Sequence, residues 1–124
     1  MTEKLLEYFN GDDLASSVWQ GKYAQKNEET PDDMHWRMAK KFAQVENLYI
    51  KKEFNLLKER GVKIDNRLSD YAKERKPLNA ESIYTLFKDF KYIVPQGSVM
   101  SQLGADSIGS LSNCFVIGQP EDSY

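Results

Sequence analysis

The sequence predicts a mainly α-helical protein that closes with a loop and one β-strand. Two observations carry this. Apolar residues recur at helical spacing through residue 91, and after Lys91 the chain turns to glycine, proline and serine before the apolar run SLSNCFVIG. The division predicts a helical domain over residues 1–91 and a loop with a strand over 92–124.

In chain order, residues 2–9 (TEKLLEYF) predict a short helix that Asn10-Gly11 breaks. Residues 12–24 predict a second, with two acids in its first turn, where the helix dipole favours them. The strongest start signal is ETPDDM: Thr30 as N-cap, Pro31 at the first helical position, Asp32 and Asp33 behind it. Met34, Met38, Phe42, Val45 and Tyr49 then fall on one helical face, and charged Arg37, Lys40, Lys41 and Glu46 lie mostly off it. The pattern predicts a long helix to about Arg60, stopped by Gly61, with room for a bend near residue 50. A weaker helix before Pro77 would turn Leu68, Tyr71 and Ala72 inward. Asn79 predicts the cap of another, whose apolar face is Ile83, Leu86, Phe87 and Phe90. From Tyr92 onward come four of the seven glycines and two of the four prolines. That density reads as loop, punctuated by Gly97, Gly104 and Gly109. SLSNCFVIG reads as a strand apolar on both faces near its end, and such a strand needs sheet partners this chain does not supply. A chain ending there looks like the front piece of something larger.

At 124 residues, 40% hydrophobic and 29% charged, the chain has a globular composition and room for a single domain. Net charge is −2 with both signs interspersed, which gives no electrostatic reason to expect nucleic acid or an anionic membrane as partner. No run approaches the roughly 18 apolar residues of a membrane span. The first residues lack a signal peptide's apolar stretch, and one cysteine builds no disulfide framework, so a cytoplasmic location is expected.

Most site chemistry is missing. One histidine, His35, precludes a His-rich metal site, and no second cysteine joins Cys114, so no metal ligands are expected. His35 lies beside the apolar stripe and reads as structural or solvent-facing. There is no phosphate loop and no nucleophile elbow. Trp19 and Trp36 read as packing anchors. Cys114 admits two readings. In an apolar run a cysteine is commonly inert core. Yet Ser112 and Asn113 precede it, and polar groups beside a thiol at a strand start are what a substrate pocket needs.

The stretch YIVPQGSVMSQLGADSIGSLSNCFVIGQPEDSY resembles the start of the catalytic barrel in the large subunit of ribonucleotide reductases. The likeness extends back through ETPDDMHWRMAKKFA and DDLASSVWQGKYA, and it looks closest to the adenosylcobalamin-dependent (class II) type. It implies a helical N-terminal domain followed by a loop and the first strand of an incomplete α/β barrel. That family reduces ribonucleotides to deoxyribonucleotides by thiyl-radical chemistry, with a cysteine pair supplying the reducing equivalents. By resemblance Cys114 is one of that pair. Gly97 and Ser98, with Ser112 and Asn113, would flank the ribonucleotide. Asp122 and Ser123 match an aspartate-serine pair that helps hold a regulatory deoxynucleotide. The implied radical source is adenosylcobalamin, held mainly by the missing part, or else a separate metal-containing subunit. The implied partners are a chain carrying the rest of the barrel and a thioredoxin-like or glutaredoxin-like reductant.

The thiyl-radical cysteine and the second redox cysteine are not in this sequence, so the chain by itself is expected to be inactive, as a split subunit or a truncated piece. The competing expectation is a non-enzymatic helical interaction module in which Cys114 is structural.

Overall fold

The computed structural model describes residues 1–61, 69–106, 109–112, 114 and 118. Among these the chain forms α1 (Glu3–Tyr8), α2 (Asp13–Lys22), α3 (Pro31–Glu59), α4 (Asp70–Glu74), α5 (Ala80–Phe87), a single 3-10 turn (Lys88–Phe90) and α6 (Gly97–Gln102), with no strand. The mainly helical expectation holds.

The helix starts follow from local chemistry. Asp12 caps α2, its carboxylate accepting from the Ala15 amide at 2.9 Å. At α3 Thr30 is the N-cap, Pro31 opens the helix, and the Asp33 carboxylate accepts from the amides of Glu29 and Thr30 at 2.9 and 3.2 Å. At α5 the Asn79 side chain accepts from the Ser82 amide at 2.8 Å, and the Ser82 hydroxyl accepts from the Asn79 amide at 3.2 Å. Gly61, at φ 65°, takes the left-handed conformation that ends α3.

α3 is the axis of the molecule, continuous through residue 50, and α5 is its main partner. The core consists of Leu5, Trp19, Met34, Met38, Ala39, Ala43, Ile83 and Phe87, all buried. The Trp19 indole donates to the Met34 sulfur at 3.3 Å, which satisfies the one polar atom of that side chain. The Trp36 ring stacks on Tyr84 at 4.0 Å between centroids. Both tryptophans are therefore packing anchors.

Four expectations are corrected. The buried face of α3 is Met34, His35, Met38, Ala39 and Ala43, whereas Phe42 is 40% exposed and Tyr49 68% exposed. The stripe keeps its helical period, but the described neighbours cover only the first half of the helix. Tyr71 of α4 faces solvent at 76% exposure rather than inward; Leu68 lies outside the described residues. The stretch after Lys91 is not all loop, because α6 forms within it and packs Val99, Met100 and Leu103 against the core. The strand expected over SLSNCFVIG is not formed at 110–112, 114 or 118, and its remaining residues lie outside those described.

Truncation should separate the two halves of α3. Met38→Ala is expected to lower stability by about 2–5 kcal/mol, whereas Tyr49→Ala should change it by no more than about 0.5 kcal/mol. Denaturant unfolding of both variants measures the contrast, and equal losses would contradict the burial pattern.

Candidate functional site

Two of the expected site residues, Gly97 and Ser98, open α6. Six residues make too short a helix to stand alone, so its position is set by what it is attached to. The attachment is Arg37. Its guanidinium donates to the carbonyl of Leu103 at 2.6 Å, of Met100 at 2.5 Å and of Tyr23 at 3.4 Å. Its Nε donates to Glu28 at 2.7 Å, an ion pair in which both side chains are nearly buried. The last carbonyls of a helix have no partners of their own, and a planar fork of five donors meets several at once. The Gln25 amide nitrogen adds a bond to the Ser101 carbonyl.

Two glycines allow the close approach. A Cβ on Gly97 would stand 3.2 Å from the Tyr23 ring. Gly104 has φ +75°, and a Cβ there would meet the Arg37 backbone oxygen at 3.2 Å. Any side chain at Gly104 would both strain the backbone and push the segment off α3. Around this junction lie open grooves. One of about 970 Å³ is lined by Asp33, Trp36, Arg37, Lys40, Lys41, Gln44 and Gly104.

Ser112 and Cys114 sit in the exposed tail. The Ser112 hydroxyl donates to the Cys114 carbonyl at 3.0 Å, and its amide donates to the Ser110 hydroxyl at 3.1 Å. These bonds run within the tail, not to Gly97. The Cys114 thiol is free and exposed, which corrects the reading of it as a buried hydrophobe. Asn113, Asp122 and Ser123 lie outside the described residues.

A second polar cluster forms on the other side of α3. His35 is fully buried, its imidazole parallel to the Phe87 ring at 6.4 Å and edge-on to Phe90 at 4.7 Å. Neither ring nitrogen has a hydrogen-bond partner. Burial lowers its pKa from the ordinary histidine value, against the opposing pull of the Asp32 and Asp89 carboxylates. Of the two expectations for His35, the structural one holds and the solvent-facing one does not. Burial, then its bond to Asp32, pushes the Tyr84 phenol up to about 12. Burial followed by the nearby Asp89 raises Tyr8 further still.

Sequence reasoning placed Arg37 only off the apolar stripe and gave it no role, and it missed α6. A signal for α6 existed: Val99, Met100 and Leu103 fall at i, i+1 and i+4, followed by Gly104 as a stop. No protein-family model, curated protein or solved structure matches the chain. Among the described residues no helix is long and apolar enough to cross a membrane, and no three His, Cys, Asp or Glu side chains gather where a metal could bind.

The Arg37 attachment has a measurable consequence. Arg37→Met should speed amide exchange across residues 99–104 by at least about tenfold, since it removes charge-assisted bonds and strands the Glu28 carboxylate. Arg37→Lys should fall between, keeping the charge and losing the fork. Unchanged exchange in Arg37→Met would show that apolar packing alone holds α6.

Proposed function

We propose that the chain is the N-terminal component of a ribonucleotide reductase large subunit and that Cys114 is one of its two reducing thiols. The observation that carries this reading is the exposed thiol of the chain's single cysteine, in the SLSNC motif. A structural cysteine gains its stability from burial, and this one has none. A thiol that must meet a second sulfur on another polypeptide has to be open to it, because a disulfide needs Cβ atoms about 3.8 Å apart.

The stoichiometry is closed. The two thiols give up two electrons and two protons and become a disulfide. The ribose 2′ carbon exchanges its hydroxyl for hydrogen, and the hydroxyl leaves as water. A thioredoxin-like or glutaredoxin-like dithiol then reduces the disulfide by exchange. Within this scheme α6 supplies a fixed edge for the nucleotide through Gly97 and Ser98, and Ser112 and Asn113 flank the thiol. Asp122 and Ser123 contribute to the deoxynucleotide effector site. By the resemblance, the radical source, adenosylcobalamin or a separate metal-containing subunit, is held mainly outside this chain. A cytoplasmic, reducing setting suits a free thiol.

The alternative is a non-enzymatic helical module, and one feature favours it. An apolar groove of about 460 Å³, lined by residues including Phe42, Tyr49, Leu78, Leu86 and Ile93, is open on the surface. Both readings predict association, and they part at the sulfur.

With the complementary chain, radical source and a dithiol present, Cys114→Ser should reduce turnover at least about a thousandfold while complex formation survives. Wild-type turnover in the serine variant would eliminate the redox role. In the isolated chain a maleimide should label Cys114 about as fast as a thiol in an unfolded peptide. Nucleotide plus the complementary chain should suppress that labelling; unaltered labelling in a formed complex would favour the interaction module.

A further inference from the structure

We propose that His35 is a proton-operated latch: its neutral imidazole holds the Lys88–Phe90 turn closed, and its protonation releases that turn and the segment behind it. This inference does not depend on the reductase reading.

The geometry sets the latch. The imidazole is enclosed by Phe87, the last residue of α5, and by Phe90, the last of the turn. Asp89 and Phe90 both have positive φ, 54° and 56°, a region that residues other than glycine occupy at a cost. Two consecutive residues hold this conformation only because something over-determines it, and the contact of Phe90 with His35 is available for that. A cation placed there would be a buried charge with no hydrogen-bond acceptor on either nitrogen.

The titratable groups around the imidazole are few. Asp32 comes from α3 itself and Asp89 from the turn, and both favour the cation. Tyr84 of α5 and Tyr8 of α1 interact with the same two carboxylates, and both phenols are held neutral well above their ordinary range. The Asp32 carboxylate already accepts from Tyr84. Burial outweighs the two carboxylates, so the folded protein binds the proton less readily than the unfolded chain does. Stability is then complete above about pH 6.5, the unfolded histidine value, and is lost as pH falls from there to the folded value. Ordinary carboxylates titrate near pH 4, which leaves a window below 6.5 for histidine alone.

Release would travel in a defined direction. Residues 91–96 join the turn to α6, and the Ile93 amide donates to the Leu86 carbonyl at 3.1 Å, so freeing Phe90 loosens the segment leading to Gly97. Phe87 also stacks on Phe42 with ring centroids 5.9 Å apart, and both line the apolar groove with Ile93 and Pro95. A proton at His35 would thus alter that groove.

The chain has one histidine, so its imidazole signals can be followed by NMR in the full wild-type protein between pH 7.5 and 4.5, beside amide exchange corrected for intrinsic pH dependence. The expected result is a titration below 6.5. Exchange protection at 88–96 should be lost in step, by about tenfold for each pH unit between the unfolded and folded values, while α2 and the first half of α3 stay protected. His35→Phe should abolish the pH step; should that variant fail to fold, His35→Met or the wild-type titration decides. Titration at or above 6.5 overturns the latch. So does a low titration in which 88–96 opens no earlier than α2, or a step that persists without the imidazole.

Discussion

The Arg37 guanidinium is the contact on which the placement of the 97–104 segment depends. α6 is too short to be stable by its own hydrogen bonds, and its terminal carbonyls point at α3. Arg37 satisfies two of them, a third at the end of α2, and the Glu28 carboxylate. Each element supplies what another lacks. The carbonyls need donors, the guanidinium needs a counter-charge once it leaves water, and Glu28 needs a cation for the same reason. A nearly buried ion pair is a modest source of net stability, because desolvation offsets much of its attraction. Its effect here is positional: removing one member leaves the others unsatisfied in one place, so alternative placements of α6 are penalised together.

α3 imposes the second constraint. Its first half is covered and its second half is not, yet it is one continuous helix. Helices in proteins draw most of their stability from burying an apolar face. The buried part, Met34 to Ala43, therefore holds up a length that carries Leu48, Tyr49 and Leu56 into solvent. The Arg75 to Glu46 ion pair steadies this part only weakly, being partly exposed. The open groove beside Phe42 and Tyr49 is the same incompleteness seen from α5. Such faces recur where chains assemble.

What could be read in the sequence was whatever is decided within a few residues. The Asn79 cap, Pro31 at the head of α3, the Asn10-Gly11 break and the Gly61 stop are local matters, and each formed where its residues indicate, whereas Asp12, read as a first-turn acid, is the N-cap of α2. The extent of burial along α3 was not local. Phe42 and Tyr49 share a face with Met38, but whether anything covers them depends on where α5 ends. Arg37 was illegible for the same reason. Its place off the apolar stripe shows no partner until residues more than sixty positions away bring their carbonyls to it. Of the candidate site, Gly97 and Ser98 gained a defined setting. Cys114 gained exposure, and its backbone carbonyl accepts from the Ser112 hydroxyl.

The two polar features of α3, His35 and Arg37, are two positions apart, which at about 100° per residue puts them on nearly opposite sides of the helix. The Lys88–Phe90 turn is fastened on the first side and α6 on the second. The connector between them, residues 91–96, is held by the Ile93 to Leu86 hydrogen bond, so a shift of Phe90 is taken up at that bond or passed on to Gly97. The backbone bond is the weaker of the two holds, because α6 is tied by Arg37, Gln25 and the packing of Val99, Met100 and Leu103 together. The first response to a disturbed turn is therefore loosening of 91–96, with the Gly97–Ser98 edge kept in place until the Arg37 contacts also fail.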